Sequence, residues 1–249
     1  MAFKTFFSGG PIARTTHIRL DQNALELAWS QQTTRVVTLW RSRCLVQQDA
    51  AVLLPLARLG QSVRLADSIY LGQLDGQHIF AAALDRAPAA NGLDEGAFAS
   101  FRTLMVHLPA ADAALLAYAK GMIEWQQRHI YCGCCGSPNR PESGGFTMIC
   151  TNADCQHRSF PRTDPAIIVL VTTADLCLLG RQMAWPDARY STIAGFVEPG
   201  ESLEDAVARE VHEETNIRVS HTQYMGSQPW PFPGAIMIGF HATAATKAI

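Results

Sequence analysis

Residues 195–217 read GFVEPGESLEDAVAREVHEETNI. Gly195 and Gly200 bracket a short loop, and Ser202 followed three positions on by Asp205 is a capping-box start that opens a helix near Leu203. At about 100° per residue, Leu203, Ala206, Val207 and Val211 make an apolar stripe that must face a core. Glu210 and Glu214, four apart, continue that stripe with Glu213 beside them, so three acids are expected to converge at the end of a buried face. Like charges out of water repel and are costly to desolvate, which calls for a cation. Oxygen-only ligands point to a hard one, Mg2+ or Mn2+. The plainer alternative is a solvated acidic face. Against it, Asp205, Ala208 and His212 take the side opposite the stripe and the three glutamates do not.

The run resembles the Nudix box. Gly195, Glu201, Arg209, Glu210, Val211, Glu213, Glu214 and Ile217 fill that pattern, and Asn216 stands where the family has glycine. Asn tolerates the left-handed conformation of a helix C-cap, so the exchange is chemically mild. The resemblance implies hydrolysis of a nucleoside diphosphate linked to another group, with Glu210, Glu213 and Glu214 holding divalent ions. It also implies that Arg209, one turn from Glu213, orients a carboxylate, and that Glu201 closes the junction of loop and helix by hydrogen bonding.

Two further features narrow the family. Upstream, Cys132-x2-Cys135 and Cys150-x4-Cys155 are separated by 14 residues. Four thiolates in two close pairs suit a tetrahedral structural zinc, with Gly136 permitting the turn after the first pair and Cys134 as a spare thiol. Unlinked thiols or a disulfide are the alternative. An odd total of seven cysteines with no secretory signal favours a metal in a reducing, cytoplasmic setting. Downstream, Ser227-Gln228-Pro229-Trp230-Pro231-Phe232-Pro233 alternates three prolines, which predicts an extended polyproline-like path displaying Trp230 and Phe232.

Ribbon, box and this heptapeptide, in that order, resemble the NADH pyrophosphatase branch of the Nudix hydrolases. The branch continues as Pro-x-Ser where this chain has Pro233-Gly234-Ala235, so one hydroxyl near the substrate is missing. Family members continue for some forty residues past the strand ending near Phe240, so the C-terminal sandwich is expected to be incomplete. The resemblance implies cleavage of the pyrophosphate bond of NADH or NAD+ to nicotinamide mononucleotide and AMP, removal of NAD caps from RNA, and a homodimer. Phe160 and Phe196 match positions where the family stacks a base or nicotinamide ring, and Gln228 and Trp230 belong to the substrate-side signature. A core role is the plain alternative for each aromatic. A weakened module that binds NAD derivatives without hydrolysing them is the rival reading of a missing hydroxyl. An intact trio of glutamates argues against it.

The remaining sequence predicts an α+β chain in four parts. Residues 1–96 alternate short apolar runs with turn signals and read as a mixed, mostly β domain. Residues 97–129 carry Phe98, Phe101, Met105, Leu108, Leu115, Leu116, Ala119, Met122 and Ile123 at helical spacing, divided by Pro109 into two helices. Residues 130–160 form the zinc ribbon, and 161–249 the Nudix α/β/α sandwich, opened by a buried strand from Ala166 to Thr172. Lys4, Arg14 and Arg19 ahead of the first acid faintly suggest a transit peptide, but Phe7 to Arg19 reads better as part of the folded N-terminal domain. The apolar content of 48% is ample for a core. No apolar run is long enough to cross a membrane. A net charge of −2 gives no electrostatic case for a dedicated nucleic-acid binder, and the basic and aromatic interleaving expected of a zinc-ribbon nucleic-acid adaptor is poor around Cys132 to Cys155, where only Arg140 is basic.

Overall fold

The computed structural model describes residues 5–86 and 96–249; Lys4 of the weak targeting signal lies outside them. The chain divides into two compact units, one of Gly9–Arg162 with Pro231–Gly234, the other of Thr5–Ser8, Thr163–Trp230 and Ala235–Ile249. Thr5 and Phe7 therefore belong with the Nudix-box unit and not, as the sequence suggested, with the N-terminal sheet. Thr5 donates its hydroxyl to the Ser227 carbonyl at 2.8 Å, and Phe7 is buried.

The first unit begins with helices α1 (Thr16–Leu20) and α2 (Gln22–Ser30). The Asp21 carboxylate caps α2 by accepting from the Asn23 and Ala24 amides. A sheet follows, built from β1 (Arg35–Trp40), β2 (Arg43–Gln47), β3 (Ala50–Ala51), β4 (Leu53–Pro55), the short helix α3 (Leu56–Leu59), β5 (Ile69–Leu74), β6 (Gln77–Ala83) and β7 (Ala97–Ser100). Its order is β3-β2-β1-β6-β5, with β4 on β1 and β7 on β2, and the β1–β6 pair is parallel. Val36, Leu45, Tyr70 and Phe80 cover one face against Leu25 and Ala28 of α2.

Helix periodicity misled at the start of the next segment. Phe98 lies in a strand opposite Leu45, because the edge of β2 offers backbone partners that outweigh a local helical pattern. Helix α4 (Phe101–Leu104) is a single turn, and α5 (Ala110–Arg128) begins directly after Pro109. Helix α5 packs against β1, β3, β5 and β6. It buries Lys120 and Glu124 as an ion pair one turn apart, with the second Glu124 oxygen lacking a partner. The unit ends in three antiparallel strands, β8 (Asn139–Glu142), β9 (Thr147–Cys150) and β10 (Arg158–Ser159), ordered β10-β9-β8.

The second unit is a five-stranded mixed sheet carrying one long helix. Strand β11 (Asp164–Thr173) is its centre, antiparallel to β12 (Leu176–Leu178) and β13 (Ile193–Phe196) and parallel to β15 (Ala235–Ala244). Strand β14 (Val219–Trp230) forms the far edge on β15. Helix α6 (Leu203–Thr215) lies across one face, where Ala206, Val207 and Val211 are fully buried over Ile167, Val169, Val171 and Phe240. Strict alternation in β11 turns Leu170 outward, 39% exposed, on the other face; among the described residues of this unit α6 is the helix layer, so the sandwich has one helical face here.

The stretch from Ser227 to Pro233 departs from the expected polyproline path. Ser227 through Trp230 are strand residues opposite Ile238 to Ala235, and Pro231–Gly234 form the turn. Proline is tolerated at Pro229 because β14 is an edge strand with one side free of ladder bonds. Strand β15 runs on past Phe240 to Ala244.

Candidate active site and metal centre

Helix α6 starts as its sequence dictates. The Ser202 hydroxyl accepts from the Asp205 amide at 3.1 Å while the Asp205 carboxylate accepts from the Ser202 amide at 3.0 Å. The Ser202 hydroxyl, which also donates to the Asp205 carboxylate at 2.6 Å, and after it the Ser202 amide hold the Asp205 carboxyl below its ordinary pKa. The helix ends at Asn216 in the left-handed conformation, φ 57°, the geometry for which the family uses glycine.

Arg209 organises everything between these ends. Its Nε and Nη2 donate to the two oxygens of Glu201 at 2.6 and 2.9 Å, a fork that sets the Glu201 carboxyl down at about 2. Glu201 also accepts from the Glu198 amide at 2.9 Å, closing the loop ahead of the helix. The Arg209 Nη2 donates to the Phe196 carbonyl at 2.9 Å, which pins the end of β13 to the helix. Its Nη1 donates to Glu210 at 2.9 Å and Glu213 at 3.2 Å. One guanidinium thus joins strand, loop and two of the three glutamates.

Glu210 is held from its other side by Gly195. A Cβ built on Gly195 would overlap the Glu210 carboxylate, so hydrogen is the one substituent that leaves room there. Sequence reasoning treated Gly195 as a loop boundary; the fixed spacing of that glycine ahead of Glu210 was the available signal for its role.

The expected burial of all three acids does not hold. The Glu210 side chain is 14% exposed, whereas Glu213 is 60% exposed and Glu214 is also an exposed residue. The buried stripe runs from Val207 through Val211 to Thr215, four residues per step, which leaves Glu214 on its shoulder. Thr215 turns inward because its hydroxyl donates to the Val211 carbonyl at 2.6 Å. Partial desolvation of the Glu214 carboxyl, and secondarily the charge of Glu210, raise its pKa. The site is therefore an acidic patch with one recessed member and two facing solvent.

The cysteines come together more tightly. The sulfurs of Cys132, Cys135, Cys150 and Cys155 all lie within 4.8 Å of one another, and among the described residues no other set of three or more metal-ligating side chains does so. The Cys132–Cys155 and Cys135–Cys150 separations are 3.8 and 3.4 Å, far beyond a disulfide bond. A tetrahedral centre with metal–sulfur bonds of about 2.3 Å sets its sulfurs about 3.8 Å apart, so the four thiols fit one. The Ser137 amide lowers the Cys135 thiol to about 6, and the Cys134 amide lowers Cys132, whereas burial pushes Cys150 up to about 12. Gly136 takes φ +74°, the turn expected after the first pair, and Cys134 remains exposed outside the four.

Phe160 and Phe196 are 53% and 61% exposed. Gln228, half-buried, sits in β14 opposite Met237. The Trp230 ring lies 6.2 Å from that of Phe7, so part of its surface serves packing. Phe232, displayed in the expectation, instead stacks on Phe101 at 5.7 Å with Arg102 over its ring.

A family model described as "NADH pyrophosphatase-like rudimentary NUDIX domain" matches residues 33–125, and one described as "NUDIX domain" matches 162–246. A Mycobacterium bovis protein named NAD-capped RNA hydrolase NudC is 34% identical over 236 residues, 92% of this chain and 72% of that protein. The chain belongs to the Nudix family, in its NADH pyrophosphatase-like branch. A Stutzerimonas stutzeri NudC of the same printed name is 40% identical over 200 residues, 79% of this Nudix chain and 70% of that one. The human NAD-capped RNA hydrolase NUDT12 is 40% identical over 153 residues, 58% of this chain, which spans 33% of the human protein. No helix among the described residues is long and apolar enough to cross a membrane.

Proposed function

We propose that this Nudix chain hydrolyses the pyrophosphate bond of NADH or NAD+, releasing nicotinamide mononucleotide and AMP, and that it removes NAD from the 5′ end of capped RNA. The observation that carries the reading is the Arg209 guanidinium holding Glu210 and Glu213 while Gly195 leaves space for the Glu210 carboxylate. The relatives' printed names, which speak of NAD-capped RNA, support the substrate class.

Glu210, Glu213 and Glu214 would hold Mg2+ or Mn2+, and the fit is one of donor chemistry: hard carboxylate oxygens, one recessed and two open to a diphosphate arriving from solvent. Bound there, the divalent ions supply neutralisation of the diphosphate and a lowered pKa for the attacking water. Arg209 fixes the directions of the Glu210 and Glu213 carboxylates before substrate arrives, so little reorganisation is left for the reaction. Glu201 holds Arg209 in turn with two parallel bonds, so that the guanidinium is not drawn away by the substrate phosphates. Phe196, exposed at the end of the strand Arg209 pins, and Phe160 offer ring faces for adenine or nicotinamide; Gln228 and Trp230 are the remaining contacts assigned to substrate. Water adds to one phosphorus of the anhydride, and the other phosphate leaves carrying its nucleoside.

The four-cysteine centre would hold a structural zinc, since four protein sulfurs leave no open position for chemistry. A homodimer and a cytoplasmic location complete the reading, the latter in keeping with seven unpaired thiols. The test is NADH hydrolysis with Mg2+ or Mn2+, followed as AMP, beside Glu214→Gln. Metal-dependent AMP release that the variant loses is the expected result. A folded, zinc-loaded protein releasing no AMP would instead favour a module that binds NAD derivatives.

A further inference from the structure

The ribbon itself, residues 130–160, balances Arg140 and Arg158 against Glu142 and Asp154, and one further arginine flanks it at each end. Residues 128–162 hold four arginines, at positions 128, 140, 158 and 162, against the two acids Glu142 and Asp154, in a chain of net charge −2. Strand register sets two of these arginines on one face. Arg140 in β8 and Arg158 in β10 are both paired with Ile149 of the central strand β9. Directly opposed residues of antiparallel strands share a face, so the two arginines stand on the same side, two strand spacings or about 10 Å apart.

They flank the buried Ile149, and their side chains remain 57% and 59% exposed. Glu142 meets Arg140 at 2.6 Å and Arg158 only at 3.9 Å, one carboxylate between two cations. Aromatic rings flank the pair. Tyr131, 62% exposed, bridges Pro138, two residues before Arg140 and so on the same face by alternation. Past Arg158, the two-residue spacing continues to Phe160, 53% exposed, and to exposed Arg162, with Pro161 favouring an extended path between them. A surface ion triad accounts for little stability and for neither exposed ring. Cations interleaved with exposed rings along an extended segment are the pattern of a single-stranded nucleic-acid platform, where phosphates meet guanidinium groups and bases stack.

We propose that this face of the cysteine ribbon binds the single-stranded RNA chain that follows the cap, with Arg140, Arg158 and Arg162 on phosphates and Tyr131 under a base, while Phe160 keeps its place at the cap. The proposal rests on the capped-RNA reading above and deepens it, assigning the part of the substrate that NADH lacks.

The experiment measures anisotropy of a labelled, uncapped single-stranded RNA with the full zinc-loaded chain across a salt series, with NADH hydrolysis run in parallel. Replacing Arg140 and Arg158 by Gln should flatten the slope of log affinity against log salt by about 1.4, two phosphate contacts at about 0.7 each. NADH turnover and KM should stay at parent values. Tyr131→Ala should weaken RNA binding about 5- to 150-fold, the equivalent of one lost base stack, and Glu142→Gln, which frees both guanidiniums, should tighten it. Unchanged RNA affinity and slope in the arginine variant would overturn the proposal. So would equal losses with NADH, or a polyglutamate peptide that competes as well as RNA, the last marking a site for an acidic protein. A chain that binds RNA in this manner yet fails to cleave NADH would sink the hydrolase reading alone.

Discussion

Replacing Gly195 by Ala separates the position of one carboxylate from the stability of the fold. The added methyl would overlap the Glu210 carboxylate, which must retreat by about 1 Å or more before the contact becomes an ordinary one. What has to move is the far end of a flexible side chain and not backbone. Its displacement costs about 0.5–1.5 kcal/mol as a distorted rotamer, and the exchange of Gly for Ala within a strand returns about 0.5–1 kcal/mol. The fold should therefore change by no more than about 1 kcal/mol, or about 4 °C in Tm. Catalysis should suffer more, because a misplacement near 1 Å costs about 100-fold, close to 2.7 kcal/mol of transition-state stabilisation. The assay is metal-dependent AMP release from NADH, read as kcat/KM beside a thermal melt. A variant with kcat/KM within about threefold of the parent would refute the claim that Glu210 acts from the place Gly195 makes for it. A variant that melts early would show that Gly195 serves the fold instead.

Cys150→Ser should lose the bound metal and open residues 130–160 to proteolysis, while Cys134→Ser keeps the parent's metal content because its thiol lies outside the four; equal metal content in both would remove the assignment. Lys120→Met leaves the Glu124 carboxylate buried without its partner and should cost about 3–5 kcal/mol, lowering Tm by about 10 °C or more, with recovery when Glu124→Leu is added. The Glu201 carboxyl has its folded pKa at about 2, below the ordinary 4.5, so its pairing with Arg209 stabilises fully above pH 4.5 and is lost as pH falls through about 2. Acid melts of Glu201→Gln should therefore lack the part of the decline that the parent shows between these values, and superimposable pH profiles would contradict the ion pair.

The sequence exposed the elements whose chemistry is local. Helix α6, its capping box and its left-handed Asn216 cap depend on contacts within a few residues, and each is written in the order Ser202, Asp205, Asn216. The four cysteines were legible for a similar reason: two short spacings must close around one centre, and few geometries satisfy both. Phe98 and the segment around Trp230 were misread because their conformations are decided by distant partners, the edge of β2 in one case and β15 in the other.

The chemistry of the candidate site divides along the same line. Residue types and spacing alone determined that Glu210, Glu213, Glu214 and Arg209 share one stretch of helix, since helical geometry fixes neighbours three and four apart. Which acid is recessed depended on the tertiary structure, because burial is set by the strand that packs across the helix. Gly195 touches Glu210 only when β13 is laid against α6, and Arg158 stands beside Arg140 only when β9 runs between them. Spacing along a chain reports what one element can present, and the meeting of two elements follows from the sheet that joins them.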